Sequence, residues 1–260
     1  MLKRLFSIAF MAWLVANVAI ASPADDFDKL IIKGKQLIAE GVDKWDEKTM
    51  LEARSLFERL LQNKEMKWLA HYYIGYSDYR LAIYYQAQNK QELLVKYLDD
   101  GIEHLNASIE GNEEFADAYG LLSSLLGQKI GTDPSLGMSL GMQAATTMSD
   151  ALEYGKDNPR VAMFSAVSAF YTPKQWGGSK ERATNEIARS IKLYQKENLD
   201  DKGLPDWGHS EALAWQARFY LAAEKLDMAK QSLEQALKID PKSGFALQTK
   251  QQLEQTASKK

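Results

Sequence analysis

A chain of 260 residues with a formal net charge of -3 has length for one sizeable domain or one extended array, and no strongly basic footprint for nucleic acid. Cysteine is absent, which excludes disulfides, thiol catalysis, cysteine-ligated metals and a lipidated amino-terminal cysteine. Valine is scarce, no strand-like alternation stands out, and the prolines at positions 23, 134, 159, 173, 205 and 241 all edge periodic stretches. The chain therefore reads as all-α.

In chain order, Met1–Ala21 comes first. Lys3 and Arg4 precede an apolar run over Leu5–Ala16, and Ala19-Ile20-Ala21 offers small residues for cleavage. This is the pattern of a secretory signal peptide, and it is short for a bilayer span. The expectation is export, most simply to a bacterial periplasm, as a soluble protein that is not a lipoprotein and has no membrane insertion after cleavage. Apolar periodicity then predicts helices over 25–40, 46–63, 66–88, 91–110, 113–129, 134–155, 160–172, 180–197, 210–224, 227–239 and 243–256. Ten of these pair into five hairpins. The last is mostly polar and suits a capping helix, followed by a fraying tail over 257–260.

A small–large–small triple at spacings of 4 and 3 recurs as Ala53/Phe57/Leu60, Gly101/Leu105/Ser108, Ala144/Met148/Ala151, Ala183/Ile187/Ser190 and Ala229/Leu233/Ala236. These spacings keep the three residues on one helical face. Only the first copy lacks the second small residue. Asn112, Asn158 and Asp240, followed by Glu113, Pro159 and Pro241, read as helix-opening caps, as does Asp133 before Pro134.

The clearest hairpin spans Glu211–Pro241. Its first helix carries Leu213, Ala217 and Tyr220 on one face, and Pro241 stops its second. Ala217, Tyr220, Ala229, Leu233, Ala236 and Pro241 together resemble a tetratricopeptide repeat (TPR). Leu213 stands where that family has tryptophan, and Trp215 is out of register. The steps between successive triples, 48, 43, 39 and 46 residues, exceed the TPR period of about 34, so the units are long or irregular. The resemblance implies a right-handed α-α superhelix whose concave groove holds a protein or peptide. The inner-groove positions it implies are Asp117, Gly120, Ser124 and Gly127; then Ala162, Ser165 and Ala169; then Glu211, Ala214, Arg218 and Leu221. The second hairpin cannot be placed in this register.

Two stretches carry candidate binding residues. Trp68, Tyr72, Tyr76, Tyr79 and Ile83 form a stripe over Met66–Gln88, with Arg80 beside it to pair with an anion. Such a stripe is either core or the wall of a binding site. Tyr171–Ala183 holds Gly177-Gly178 before a helix capped by Ser179. It reads as a compact turn plugged by Trp176, or as an anion nest with Lys174, Lys180 and Arg182. Its aromatic-Gly-Gly turn also resembles the T-component family of periplasmic TPR proteins associated with TRAP-type transporters. Asp200, Asp201 and Asp206 lack calcium-loop spacing, so LDDKGLPDWG reads as a solvated loop. His71, His104 and His209 have no histidine three or four residues away, so no metal site is expected. No cofactor or catalytic motif is present.

The chain thus reads as an exported TPR-like scaffold of five hairpins plus a cap, and not as an enzyme. Its candidate contacts are Trp68, Tyr72, Tyr76, Arg80, Ser124, Ser165, Trp176 and Arg218. The alternative is a small-ligand carrier or transport accessory protein with an aromatic-walled pocket.

Overall fold

The computed structural model describes residues 23–258. The expected signal peptide, residues 1–21, lies outside the described residues. Among the described residues there are eleven α-helices and no strand. They are α1 (Pro23–Lys44), α2 (Glu47–Arg59), α3 (Lys67–Ala87), α4 (Gln91–Gly111), α5 (Ala116–Thr132) and α6 (Gly137–Tyr154), followed by α7 (Pro159–Tyr171), α8 (Lys180–Tyr194), α9 (His209–Ala222), α10 (Leu226–Ile239) and α11 (Gly244–Ala257). Each odd-numbered helix from α1 to α9 packs on the even-numbered helix after it, and α11 closes the array on α9 and α10. The result is a TPR-like all-α solenoid of five hairpins and a cap. No helix among the described residues is long and apolar enough to cross a membrane.

The small–large–small triples are the reason the hairpins close. Ala53, Phe57, Leu60, Gly101, Leu105, Ser108, Ala183, Ile187, Ser190, Ala229, Leu233 and Ala236 are all buried; in the third triple Met148 and Ala151 are buried and Ala144 partly so. Small residues let helix axes approach, and the large residue between them fills the remaining volume. Glycines mark close approaches between α1 and α2, where a Cβ on Gly34 would lie 2.3 Å from the Phe57 ring, between α3 and α4, and between α4 and α5. A Cβ on Gly75 would lie 2.7 Å from the Leu105 side chain, and one on Gly101 would lie 2.8 Å from Leu125.

The predicted caps divide. Asn158 opens α7 as expected, its side chain accepting from the amides of Arg160 and Val161. Asn112 and Asp240 instead accept from Glu114 and Lys242, two residues on, and stand before short turns. Helix α5 therefore starts at Ala116, and α11 starts after Ser243, whose hydroxyl accepts from Ala246. An Asx turn can satisfy the same side chain a few residues ahead of the helix, so the residue type alone did not fix the start. Helix α11 also continues through Ala257, one residue past its predicted end.

The irregular repeat length has two sources. Helices α3 and α4 each run 21 residues. In addition, residues 195–208 form a long non-helical connection between α8 and α9. Gly208 ends that connection at φ +109°, a conformation L side chains rarely adopt, and a Cβ there would lie 2.0 Å from the Tyr194 hydroxyl. Gly208→Ala should lower stability in urea by about 2–3 kcal/mol. Gly127→Ala should be neutral or stabilising by up to about 1 kcal/mol, because Gly127 is helical and its Cβ would meet nothing within 4 Å.

Candidate functional site

The odd-numbered helices line the inside of the solenoid, and the connection 195–208 runs into it. Pro205 is buried, and Trp207 is half-buried against the core. The Trp207 ring stacks on Tyr76 with centroids 4.5 Å apart and meets Phe164 edge-on at 6.0 Å. Its indole N–H donates to the Tyr72 hydroxyl at 3.2 Å, and the Arg80 guanidinium lies 5.3 Å over its ring. The backbone of the connection is gripped as well. Lys35 of α1 donates to the carbonyls of Lys202 (2.7 Å) and Leu204 (2.6 Å) and pairs with the Asp206 carboxylate at 3.0 Å. The Tyr73 hydroxyl donates to Gly203 O at 2.6 Å, and Arg160 donates to Trp207 O at 3.2 Å. LDDKGLPDWG is therefore not a freely solvated loop. Asp200 and Asp201 are exposed, while the Asp206 carboxylate, the carbonyls and the tryptophan meet the wall.

Two guanidiniums organise the charges around this segment. Arg160 on α7 is paired with Asp117 of α5 and with Glu197, and its side chain is 5% exposed. Asn158 donates to the other Asp117 oxygen at 2.6 Å. Arg80 pairs with Glu211 of α9, joining the second hairpin to the fifth across the interior, and donates to the Tyr76 hydroxyl. Burial pushes the Tyr76 hydroxyl up to about 12 despite Arg80, so it stays protonated and able to donate. Burial alone would lower both arginines, but the surrounding carboxylates and phenols hold them higher still.

The sequence-derived candidates other than Trp176 fall into four places. Tyr72, Tyr76 and Arg80 lie on the inner face but are covered by Trp207, so the aromatic stripe is both core and wall. Trp68 packs edge-on against Phe115 at the mouth of an open cleft of 680 Å³ that Tyr154 and Leu204 also line. Ser124 and Ser165 are part-exposed further along α5 and α7, with Gly127 facing open space beside them. Arg218 lies over the rings of Trp215 (5.5 Å) and Phe245 (4.7 Å) on the same side of α9 and α11. On α5, α7 and α9 the inner face is filled at the first turn, by Asp117, Arg160 and Glu211, and part-exposed further along, at Ser124, Ser165 and Arg218.

Trp176 corrects an expectation: it is 67% exposed and plugs nothing. The turn closes through its backbone, with Gly177 N on Lys174 O, Gly178 N on Pro173 O and Ser179 N on Ala169 O. Lys180 and Arg182 donate to the carbonyls of Phe170 and Gly177. The amides of Gly177, Gly178 and Ser179 and the side chains of Lys180 and Arg182 are thus spent on carbonyls, which leaves little of the expected anion nest.

The histidine pair was not visible as one. Hairpin closure brings His71 Nδ1 to 2.9 Å from His104 Nδ1. No group of three or more metal-ligating side chains occurs among the described residues. Burial, with the neighbouring His104 and Lys67, brings His71 down to about 4, and burial with Arg54 lowers His104.

No protein-family model matches the chain, and no curated relative matches it in sequence. Solved structures do resemble it in fold. A thermophilic TPR protein of Thermus thermophilus has a TM-score of 0.62 at 17% identity, with 88% of this chain and 97% of that one covered. The HusA haemophore of Porphyromonas gingivalis has a TM-score of 0.61 at 18% identity, with 76% and 93% covered. These likenesses establish the fold: the protein is a TPR-like helical repeat.

Asp117→Ala should destabilise the protein by about 3 kcal/mol or more in urea unfolding, because it strips a buried guanidinium of a partner. The histidine pair gives a pH dependence of known sign. The unfolded chain takes up protons below about 6.5 and the folded pair resists until lower pH, so the pair's contribution is full above 6.5 and lost as pH falls towards 4. His71→Gln should therefore narrow the difference between urea midpoints measured at about pH 7 and about pH 5.

Proposed function

We propose that the protein is an exported TPR-like scaffold that holds a protein partner, as a non-helical segment, on the concave face. One observation carries this reading: the inner wall already holds a non-helical, turn-containing stretch of polypeptide by its carbonyls and a single anchoring tryptophan. Recognition through backbone acceptors plus one aromatic pocket suits a peptide and not a reaction centre. The accessible part of the face, with Ser124, Gly127 and Ser165, has small side chains that let a partner backbone approach closely. Arg218 with Trp215 and Phe245 offers a cation beside aromatic surface at its end.

A second reading, a small-ligand carrier, draws on Tyr72, Tyr76, Tyr79 and Arg80 as a pocket wall and on the fold shared with a haemophore. It requires Trp207 to leave, because that ring fills the space between them.

The test is a photo-crosslinking residue placed singly at Ser165, at Arg218 and, as a control, at exposed Lys192 on α8, in the full chain produced in its own host. The expected result is one discrete protein adduct of the same mass from Ser165 and Arg218 and none from Lys192. No adduct, or only a small-molecule mass in native mass spectrometry, would overturn the scaffold reading.

A further inference from the structure

We infer that residues 199–208 are a built-in occupant of the concave face, and that the same wall accepts in their place a partner segment of like chemistry: a non-helical stretch that turns as this one does and carries a carboxylate directly before a tryptophan. This rests on the scaffold reading and names its partner.

The division of labour across the contact supports it. Every long-range donor belongs to the solenoid and every long-range backbone acceptor to the segment, apart from the Trp207 indole. Lys35 gives its three N–H groups to Lys202 O, Leu204 O and the Asp206 carboxylate. Tyr73 and Arg160 take the carbonyls of Gly203 and Trp207. Contacts to carbonyls do not discriminate between sequences, so the selection falls on two side chains. One is the carboxylate facing Lys35. The other must be a flat ring able to lie on Tyr76 under Arg80 while donating to the Tyr72 hydroxyl, and indole meets all three demands.

The remainder of the segment is lightly held. Leu199, Asp200, Asp201, Lys202 and Leu204 are exposed, with the apolar Leu199 at 42% and Leu204 at 38%. Its internal hydrogen bonds are local, such as Gly203 N on Asp201 and Asp200 N on Asn198. It forms no helix or strand, and its ends are fixed by attachment to α8 and α9. Residues 199–207 make no backbone hydrogen bond to α8 or α9, so they can leave without unwinding either helix, and Arg160 keeps both carboxylates, Asp117 and Glu197, when they do. While attached it competes at an effective concentration in the millimolar range, so a partner's apparent affinity falls by the fraction of molecules whose wall is open.

The experiment titrates a labelled peptide spanning residues 198–208 onto the full chain by fluorescence anisotropy. Trp207→Ala should bind it about tenfold tighter than the unaltered protein, and Asp206→Lys about threefold tighter. A peptide with alanine in place of the tryptophan should bind neither. Asp206→Lys guards against loss of fold, since its side chain is 47% exposed and contacts Lys35 alone among charged groups. Variants with unchanged helical circular dichroism that bind the peptide no better than the unaltered chain would overturn the inference. The segment would then be a fixed part of the core. Crosslinking at Ser165 and Arg218 reports on the scaffold reading separately, whichever way the peptide behaves.

Discussion

A buried guanidinium decides how this solenoid is filled. Arg160 lies inside with two carboxylates, a backbone carbonyl and the face of Tyr194 around it. A charge so far from water is tolerated only when it is fully paired, because desolvation costs several kcal/mol per ion. Those partners come from α5, from the end of α8 and from the connection 195–208. Satisfying one side chain therefore fixes the path by which the chain leaves the fourth hairpin, and that path leads through the interior.

The remaining inner contacts follow from it. Once the connection is drawn inward, Trp207 falls onto the ring of Tyr76, and its N–H finds the Tyr72 hydroxyl. Lys35 on the first helix then meets three oxygens of the same segment. Arg80 and Glu211 join hairpins through residues that lie 131 apart in sequence. A stack in which each hairpin touches mainly its neighbours thereby gains a link between its early and late units. Part-exposed or exposed inner residues remain at Ser124, Gly127, Ser165 and Arg218.

The helices and their pairing were legible in the sequence because both depend on local information. Spacings of 4 and 3 put Ala229, Leu233 and Ala236 on one face whatever the rest of the chain does, and Asn158-Pro159 caps a helix from within three residues. The inward connection was not legible. LDDKGLPDWG is rich in acids and turn residues, and such composition usually means solvent. What composition does not record is that carbonyls can face inward while Asp200 and Asp201 stay in solvent. Trp207 was the available signal, a large aromatic in an otherwise polar stretch, together with a tyrosine stripe that had no assigned neighbour. His71 and His104 escaped for a related reason: helical spacing finds partners three or four residues away, and hairpin closure makes partners at 33. Trp176 was misread as a plug because a tryptophan beside Gly-Gly suggests a buried anchor, whereas this turn closes on its own backbone.

The seating of residues 199–208 on the inner wall is tested most directly by zero-length carbodiimide coupling followed by peptide mass spectrometry. That chemistry joins an amine to a carboxylate only where the two are in contact. An amide bond between Lys35 and Asp206 is expected in the unaltered protein, and its loss in Lys35→Arg. Absence of that crosslink, while the exposed Lys44–Glu40 pair on α1 couples normally, would contradict it.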